Sequence, residues 1–291
     1  MLNTLKAQLF RGGFKIANNL LWRGRNRSVV THDYVLAGGQ VSVRCYTPDT
    51  EAPRPVMLYF HGGGFVIGDV ASYDGFCRDL CQRAQIAVVS VDYRRAPESL
   101  FPAAVDDCMV ALDWLVSQTQ VHGLSLERVY IGGDSAGGNL AAVTTLEARE
   151  RYPGLLKGQL LIYPVTDHYQ SGFASYKECG KGYLLTEKQM IWFWDTYLGR
   201  SEKEAFVDPR ATPLRRDDLG GQPVTLLITA ELDPLRDEGR AYVEKLQTAS
   251  VAVSHAEYEG CQHGFIGIMG PTKDHNRAME DIVAWLRHLE L

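Results

Sequence analysis

Val129-Tyr130-Ile131-Gly132-Gly133-Asp134-Ser135-Ala136-Gly137-Gly138-Asn139 is the stretch that decides the fold. An apolar run ends in glycines, a serine stands among small residues, and a helical stretch follows. A strand that turns sharply into a helix needs small neighbours so that the two elements can approach, and such a turn holds its central side chain out at the tip. The pattern predicts a strand over 129–132, a strained turn at Ser135 and a helix from Ala136. The bare Gly-x-Ser-x-Gly spacing is weak, and its strand-turn-helix setting gives it meaning.

Upstream, His61-Gly62-Gly63-Gly64-Phe65 follows directly on the apolar run 56–60. Acyl transfer places negative charge on a former carbonyl oxygen, and backbone N–H groups aimed at that point stabilise it. Side chains there would block the approach, so glycine is the physical requirement. Gly63, Gly64 and the amide of Ala136 are assigned as oxyanion donors, while His61, Gly62 and Asp134 support the two motifs. His61 reads as a residue that shapes the loop by hydrogen bonding rather than one that transfers protons. Glycine-rich turns also cradle phosphates, but no Lys-Ser/Thr pair follows and no helix begins directly at Gly64.

A serine hydroxyl needs a base, normally a histidine oriented by a carboxylate. In sheets that carry such a turn the partners follow in the order Ser, Asp or Glu, His, each just past a strand. Asp233 follows the run 224–229, and His263 follows the run 251–258 in Gly260-Cys261-Gln262-His263-Gly264-Phe265. Glu231, which precedes the turn, and Asp237, placed inside the next helix, are the nearest rivals of Asp233. His32, His122, His168 and His255 lie before or within elements, and His275 and His288 at the last helix or its start. These six read as surface or packing residues.

Around these motifs the chain alternates. A β-hairpin over 31–47 turns at Gly38-Gly39. Apolar runs at 56–60, 86–91, 129–132, 160–162, 224–229 and 251–258 then alternate with helical stretches at 103–118, 136–149, 237–248 and 275–289. This order requires a mostly parallel sheet with helices on both faces. About 60 residues separate the fourth run from the fifth, more than a connection needs. That interval is rich in aromatics (Tyr176, Tyr183, Trp192, Phe193, Trp194, Tyr197), and Thr186 with Gln189 forms a capping-box pattern there.

With 291 residues and 45% apolar content the chain suits one catalytic domain carrying an insertion. Its net charge of −5 offers no basic excess for nucleic acid. Residues 1–27 contain Lys6, Arg11, Lys15, Arg23, Arg25 and Arg27 without an acid. Gly12, Gly13, Lys15 and Asn18-Asn19 interrupt any secretory-signal pattern, and no window is apolar enough to span a bilayer. The segment reads as an amphipathic helix packed over the body. Cys45, Cys77, Cys81, Cys108, Cys179 and Cys261 lack zinc or disulfide spacings and read as buried apolar residues in a reducing compartment, with Cys77 and Cys81 on one helix face. The cytoplasm is the expected location.

With those residues assembled, the sequence resembles the hormone-sensitive lipase family of esterases, which includes many bacterial carboxylesterases and acetyl esterases. The resemblance covers most of the chain. It rests on His61-Gly62-Gly63-Gly64, Asp92-Tyr93-Arg94-Arg95-Ala96-Pro97-Glu98, Gly132-Gly133-Asp134-Ser135-Ala136-Gly137-Gly138-Asn139, Leu161-Ile162-Tyr163-Pro164, Asp233-Pro234-Leu235-Arg236-Asp237-Glu238-Gly239 and His263-Gly264-Phe265. Arg95 departs from the leucine usual there, a change expected to alter packing without touching the chemistry. The resemblance implies an α/β-hydrolase fold, a single domain over 1–291, with a helical cap built from about 1–30 and about 168–215. It also implies a serine carboxylesterase for short-chain acyl esters, with triad Ser135, Asp233 and His263, and no metal or organic cofactor. The expected partner is a small ester, with no nucleic acid and no stable membrane insertion. A homodimer through an exposed edge strand near the C-terminus follows by analogy with relatives. Rival readings are a non-catalytic small-molecule receptor on the same scaffold, a peripheral lipase acting at membranes, and amide or lactone hydrolysis by the same residues.

Overall fold

The computed structural model describes residues 2–24, 26, 28–36, 38–118, 123–199 and 208–289. Arg25, Arg27, His122 and residues 200–207 of the expected cap lie outside them.

Eight strands form one sheet: β1 (Val30–Val35), β2 (Ser42–Thr47), β3 (Arg54–Phe60), β4 (Ala87–Asp92), β5 (Leu124–Asp134), β6 (Leu156–Ile162), β7 (Val224–Leu232) and β8 (Val253–Gln262). Their order is β1-β2-β4-β3-β5-β6-β7-β8. The hairpin β1–β2 lies at one edge and joins β4 antiparallel, and all later pairs are parallel. Parallel strands buried on both faces read as continuous apolar runs, which is why β3 and β4 were legible.

The two faces are filled by alternate residues of the same strands. Val56, Leu58 and Phe60 of β3 and Val129 and Ile131 of β5 pack on one face. There they meet helices α3 (Ala103–Gln118), α4 (Ala136–Arg151) and α7 (Arg236–Thr248) through Leu112, Leu140 and Tyr242. Met57, Tyr59 and Tyr130 face the other way, against α2 (Asp74–Ala84) and α8 (Lys273–His288) through Leu80 and Ile282. Cys77 and Cys81 are buried on α2, and all six cysteines are buried and unbridged.

Two strands, β5 and β6, start well before their apolar runs. β6 begins at Leu156 because Gln159, though fully buried, donates its amide to Thr225 Oγ1 at 3.1 Å, so a polar residue does not end the strand. β5 likewise starts at Leu124, with exposed residues in its first half.

The interval after β6 holds a short α5 (Ser175–Glu178) and α6 (Glu187–Leu198), with single 3₁₀ turns at Tyr169–Ser171 and Pro213–Arg215. The capping box is present: Gln189 N donates to Thr186 Oγ1, and Thr186 N donates to Gln189 Oε1 at 2.8 Å. The N-terminal segment is a long helix, α1 (Leu2–Leu21), fastened by Arg11 to the carbonyls of Val66 and Ala96 and to Glu98. Among the described residues no helix is long and apolar enough to cross a membrane.

Candidate active site

Ser135 ends β5 and starts α4 with φ 55° and ψ −119°, a backbone state that L-residues rarely hold. Close packing around the turn enforces it. A Cβ on Gly137 would stand 2.0 Å from the carbonyl oxygen of Phe60, so α4 can begin against the end of β3 only if that position is bare.

The turns after β7 and β8 bring Asp233 and His263 to the same sheet edge. His263 Nε2 lies 2.9 Å from Ser135 Oγ, and its Nδ1 lies 2.6 Å from Asp233 Oδ2. The second oxygen of Asp233 accepts the amide of Leu235 at 2.9 Å. All three side chains are buried, Asp233 completely. Neither rival carboxylate takes part: Glu231 accepts the amide of Gly260, and Asp237 pairs with Arg236 and Arg240.

The glycine loop after β3 faces the serine. Gly63 and Gly64 line the same cavity as Ser135. Gly64 has φ +59°, and a Cβ there would stand 2.2 Å from the ring of Phe193. Ala136 is the first residue of α4, so its N–H has no intrahelical acceptor.

A buried frame sets this loop. Asp134 accepts hydrogen bonds from the hydroxyls of Tyr59 and Tyr73, each at 2.8 Å, and from the amide of Gly62 at 2.9 Å. Burial nevertheless pushes its carboxyl above the usual range, against those three bonds. Asp134 thereby ties the loop after β3 to the residue before the nucleophile. His61 is wholly buried, stacks on Tyr93 with centroids 4.4 Å apart, and donates from Nδ1 to the carbonyl of Gly62 at 2.8 Å. Burial first, and the nearby Arg95 charge second, lower its pKa to about 3, so the ring is neutral near pH 7. Arg95 does more than pack: its guanidinium donates to the carbonyl of Gly68 and faces Asp92 at 3.5 Å, bracing the far end of the loop.

Above the serine is a cavity of about 560 Å³. Its walls are apolar, with Phe10, Phe14 and Ala17 from α1 opposite Met190, Phe193 and Trp194 from α6. Among the described residues, Gln189 joins Ser135 and His263 as a polar side chain lining it. Among the described residues no cluster of three or more His, Cys, Asp or Glu side chains has a metal-holding arrangement.

The remaining described histidines stand apart from the triad. His168 accepts the amide of Gln170 at Nδ1, and His255 meets Thr229 Oγ1 at 2.9 Å. His275 is buried with Nε2 3.1 Å from Asp79. Sequence reasoning assigned no role to Tyr163, whose ring lies 4.6 Å from that of His263 and whose hydroxyl accepts the amide of Gly267. Its signal is positional, one residue past β6 on the edge that carries Ser135. A cap from about 1–30 was expected, but its lining residues were not named: Phe10, Phe14 and Ala17 of α1 reach the cavity, and 10, 14 and 17 have the spacing of one helix face.

A family model for the α/β-hydrolase fold matches residues 57–267. Carboxylic ester hydrolase LipN of Mycobacterium tuberculosis is 39% identical over 237 residues, covering 79% of this chain and 62% of that protein. The chain thus spans less than two thirds of that relative's length. Ethyl acetate hydrolase of Pseudomonas putida is 37% identical over 243 residues, covering 82% of this chain and 74% of its own. The solved esterase of Pyrobaculum calidifontis superposes with a TM-score of 0.91 at 36% identity, over 98% of this chain and 94% of that one.

Proposed function

The chain belongs to the α/β-hydrolase family, in its hormone-sensitive-lipase group, and from that premise we propose that it is a carboxylic ester hydrolase working through a covalent acyl-enzyme. The observation that carries the proposal is the hydrogen-bonded line from Asp233 through His263 to Ser135, ending at the floor of an apolar cavity.

Ser135 Oγ attacks the ester carbonyl as His263 Nε2 takes its proton, while Asp233 holds Nδ1–H and stabilises the imidazolium. The amides of Gly63, Gly64 and Ala136 receive the oxyanion, a role supported by the place of both glycines beside Ser135 on the same cavity and of Ala136 at the start of α4. His263 then protonates the departing alcohol, and water releases the acid by the same route.

The roof formed by α1 and by residues 184–194 acts as a cap, and its apolar lining supports small esters with apolar groups. Six reduced, buried cysteines support a cytoplasmic location. The edge strand β8 is the surface through which two copies would pair.

Hydrolysis of p-nitrophenyl esters from acetate to palmitate, with intact protein and with Ser135→Ala at matched folding, tests the reading. Turnover of short esters that drops to background in the variant supports it. Absence of turnover across the series in the intact protein would overturn it, and rates that climb towards palmitate would overturn the short-chain part.

A further inference from the structure

α1 carries apolar residues on two faces. One is turned inwards, with Ala7 buried and Phe10, Phe14 and Ala17 on the cavity. The other consists of Leu5, Leu9, Ile16 and Leu20, whose spacings of four, seven and four residues bring them to one side of a helix. These four are between 60 and 69% exposed. A helix packed on a globular body normally turns polar residues to water, and a row of long aliphatic side chains there marks a contact surface. The row is continuous with the cavity mouth, because Leu9 belongs to both.

Charge identifies what the row meets. Residues 1–27 hold six Lys or Arg and no acid in a chain of net charge −5. Arg11 and Lys15 are paired with Glu98 and Asp69, which fastens the helix to the body. Lys6 and Arg23 are exposed near the two ends of the row, Lys6 with its ammonium 4.3 Å over the Trp192 ring. A second copy docking on this row would bring the same cations together with no carboxylate of α1 to offset them. An anionic lipid surface offers both what the aliphatic row and what the cations need.

We propose that the outer face of α1 docks on anionic phospholipid surfaces, lying in the interface with the cavity mouth turned to the membrane. The binding is peripheral: the aliphatic side chains enter the headgroup boundary, and Lys6 and Arg23 meet lipid phosphates or carboxylates. An ester dissolved in the bilayer then reaches Ser135 past Leu9 and Phe10. That last consequence rests on the esterase reading, and the docking does not.

The experiment is co-sedimentation of the full chain with phosphatidylcholine vesicles, with and without phosphatidylserine, at low and high salt. The expected result is at least about tenfold stronger partitioning onto the mixed vesicles, lost at high salt. Partitioning should fall about tenfold in Leu5→Gln/Ile16→Gln/Leu20→Gln, whose positions do not line the cavity, and several-fold in Lys6→Gln/Arg23→Gln. Hydrolysis of soluble short esters should be unchanged in the triple variant. Ser135→Ala should bind vesicles like the intact protein, so that failure of docking and failure of the esterase reading are separately visible. Equal partitioning of the intact protein and the triple variant overturns the proposal. So does a dimer in light scattering that the triple variant converts to monomer without any vesicle binding, which would give the row to a second copy.

Discussion

Gly137 and Gly12 both sit inside helices, and they have opposite reasons to be there. At Gly137, in α4, an added Cβ would stand 2.0 Å from a backbone oxygen of β3, whereas at Gly12, in α1, nothing lies within 4 Å. The first belongs to the floor of the site, where strand ends, a strained serine and the glycine loop leave no spare volume. The second belongs to the roof, where a helix is fastened by a few ion pairs and apolar contacts. The floor thus fixes where the reacting atoms stand, while the roof sets what reaches them and tolerates change.

Six substitutions can break or sharpen that contrast. Asp233→Asn should have the largest effect, a drop in kcat of about 10⁴-fold, because the amide favours the wrong imidazole tautomer. Glu231→Gln and Asp237→Asn, which lack contact with His263, should stay within about tenfold of the intact enzyme; a larger loss in either would reopen the assignment of the acid. Next comes Gly137→Ala, expected to cost about 3 kcal/mol or more in urea unfolding, because the Phe60 carbonyl is backbone and cannot step aside.

His61 gives a pH-dependent effect with a distinctive sign. Its folded pKa of about 3 lies below the ordinary 6.5, so in that window the unfolded chain binds a proton that the folded chain refuses. The neutral ring therefore contributes stability that is intact above pH 6.5 and is lost as pH falls towards 3, at about 1.4 kcal/mol per pH unit. In His61→Gln the urea midpoint should show a shallower decline over this range than in the intact protein. Identical slopes would show that the buried ring is protonated. The smallest effect is Gly12→Ala, which should raise stability by about 0.5–1 kcal/mol through helix propensity and leave turnover unaltered. Destabilisation there would show that the outer face of α1 is more crowded than the open space around Gly12.

The floor was legible in the sequence residue by residue, whereas the roof was expected only as a cap with no lining residue named. Ser135, Asp233, His263, Gly63 and Gly64 stand just past apolar runs, and a parallel sheet delivers all strand ends to one edge, so chain order alone brought them together. The capping box at Thr186 was equally plain, being a bond between residues three apart. Tyr163 and the cavity wall escaped because helix periodicity says which residues share a face, not what the face meets. α1 has two apolar faces, and nothing local tells which one turns inwards. Arg95 was read as a packing change, yet its reach to Gly68 crosses 27 residues of chain.

The sequence by itself determined the alternation of strands and helices, the sharp strand-to-helix turn at Ser135 and the placing of Ser135 and His263 just past strand ends, because each follows from side-chain size, periodicity and backbone geometry within a few residues. Only the tertiary structure decided what the two rival carboxylates Glu231 and Asp237 meet instead, and how α1 and α6 together enclose an apolar cavity over His263. Those outcomes depend on the direction in which a turn leaves its strand and on how separate helices pack. Such relations are fixed by contacts between residues far apart in the chain, and no local pattern encodes them.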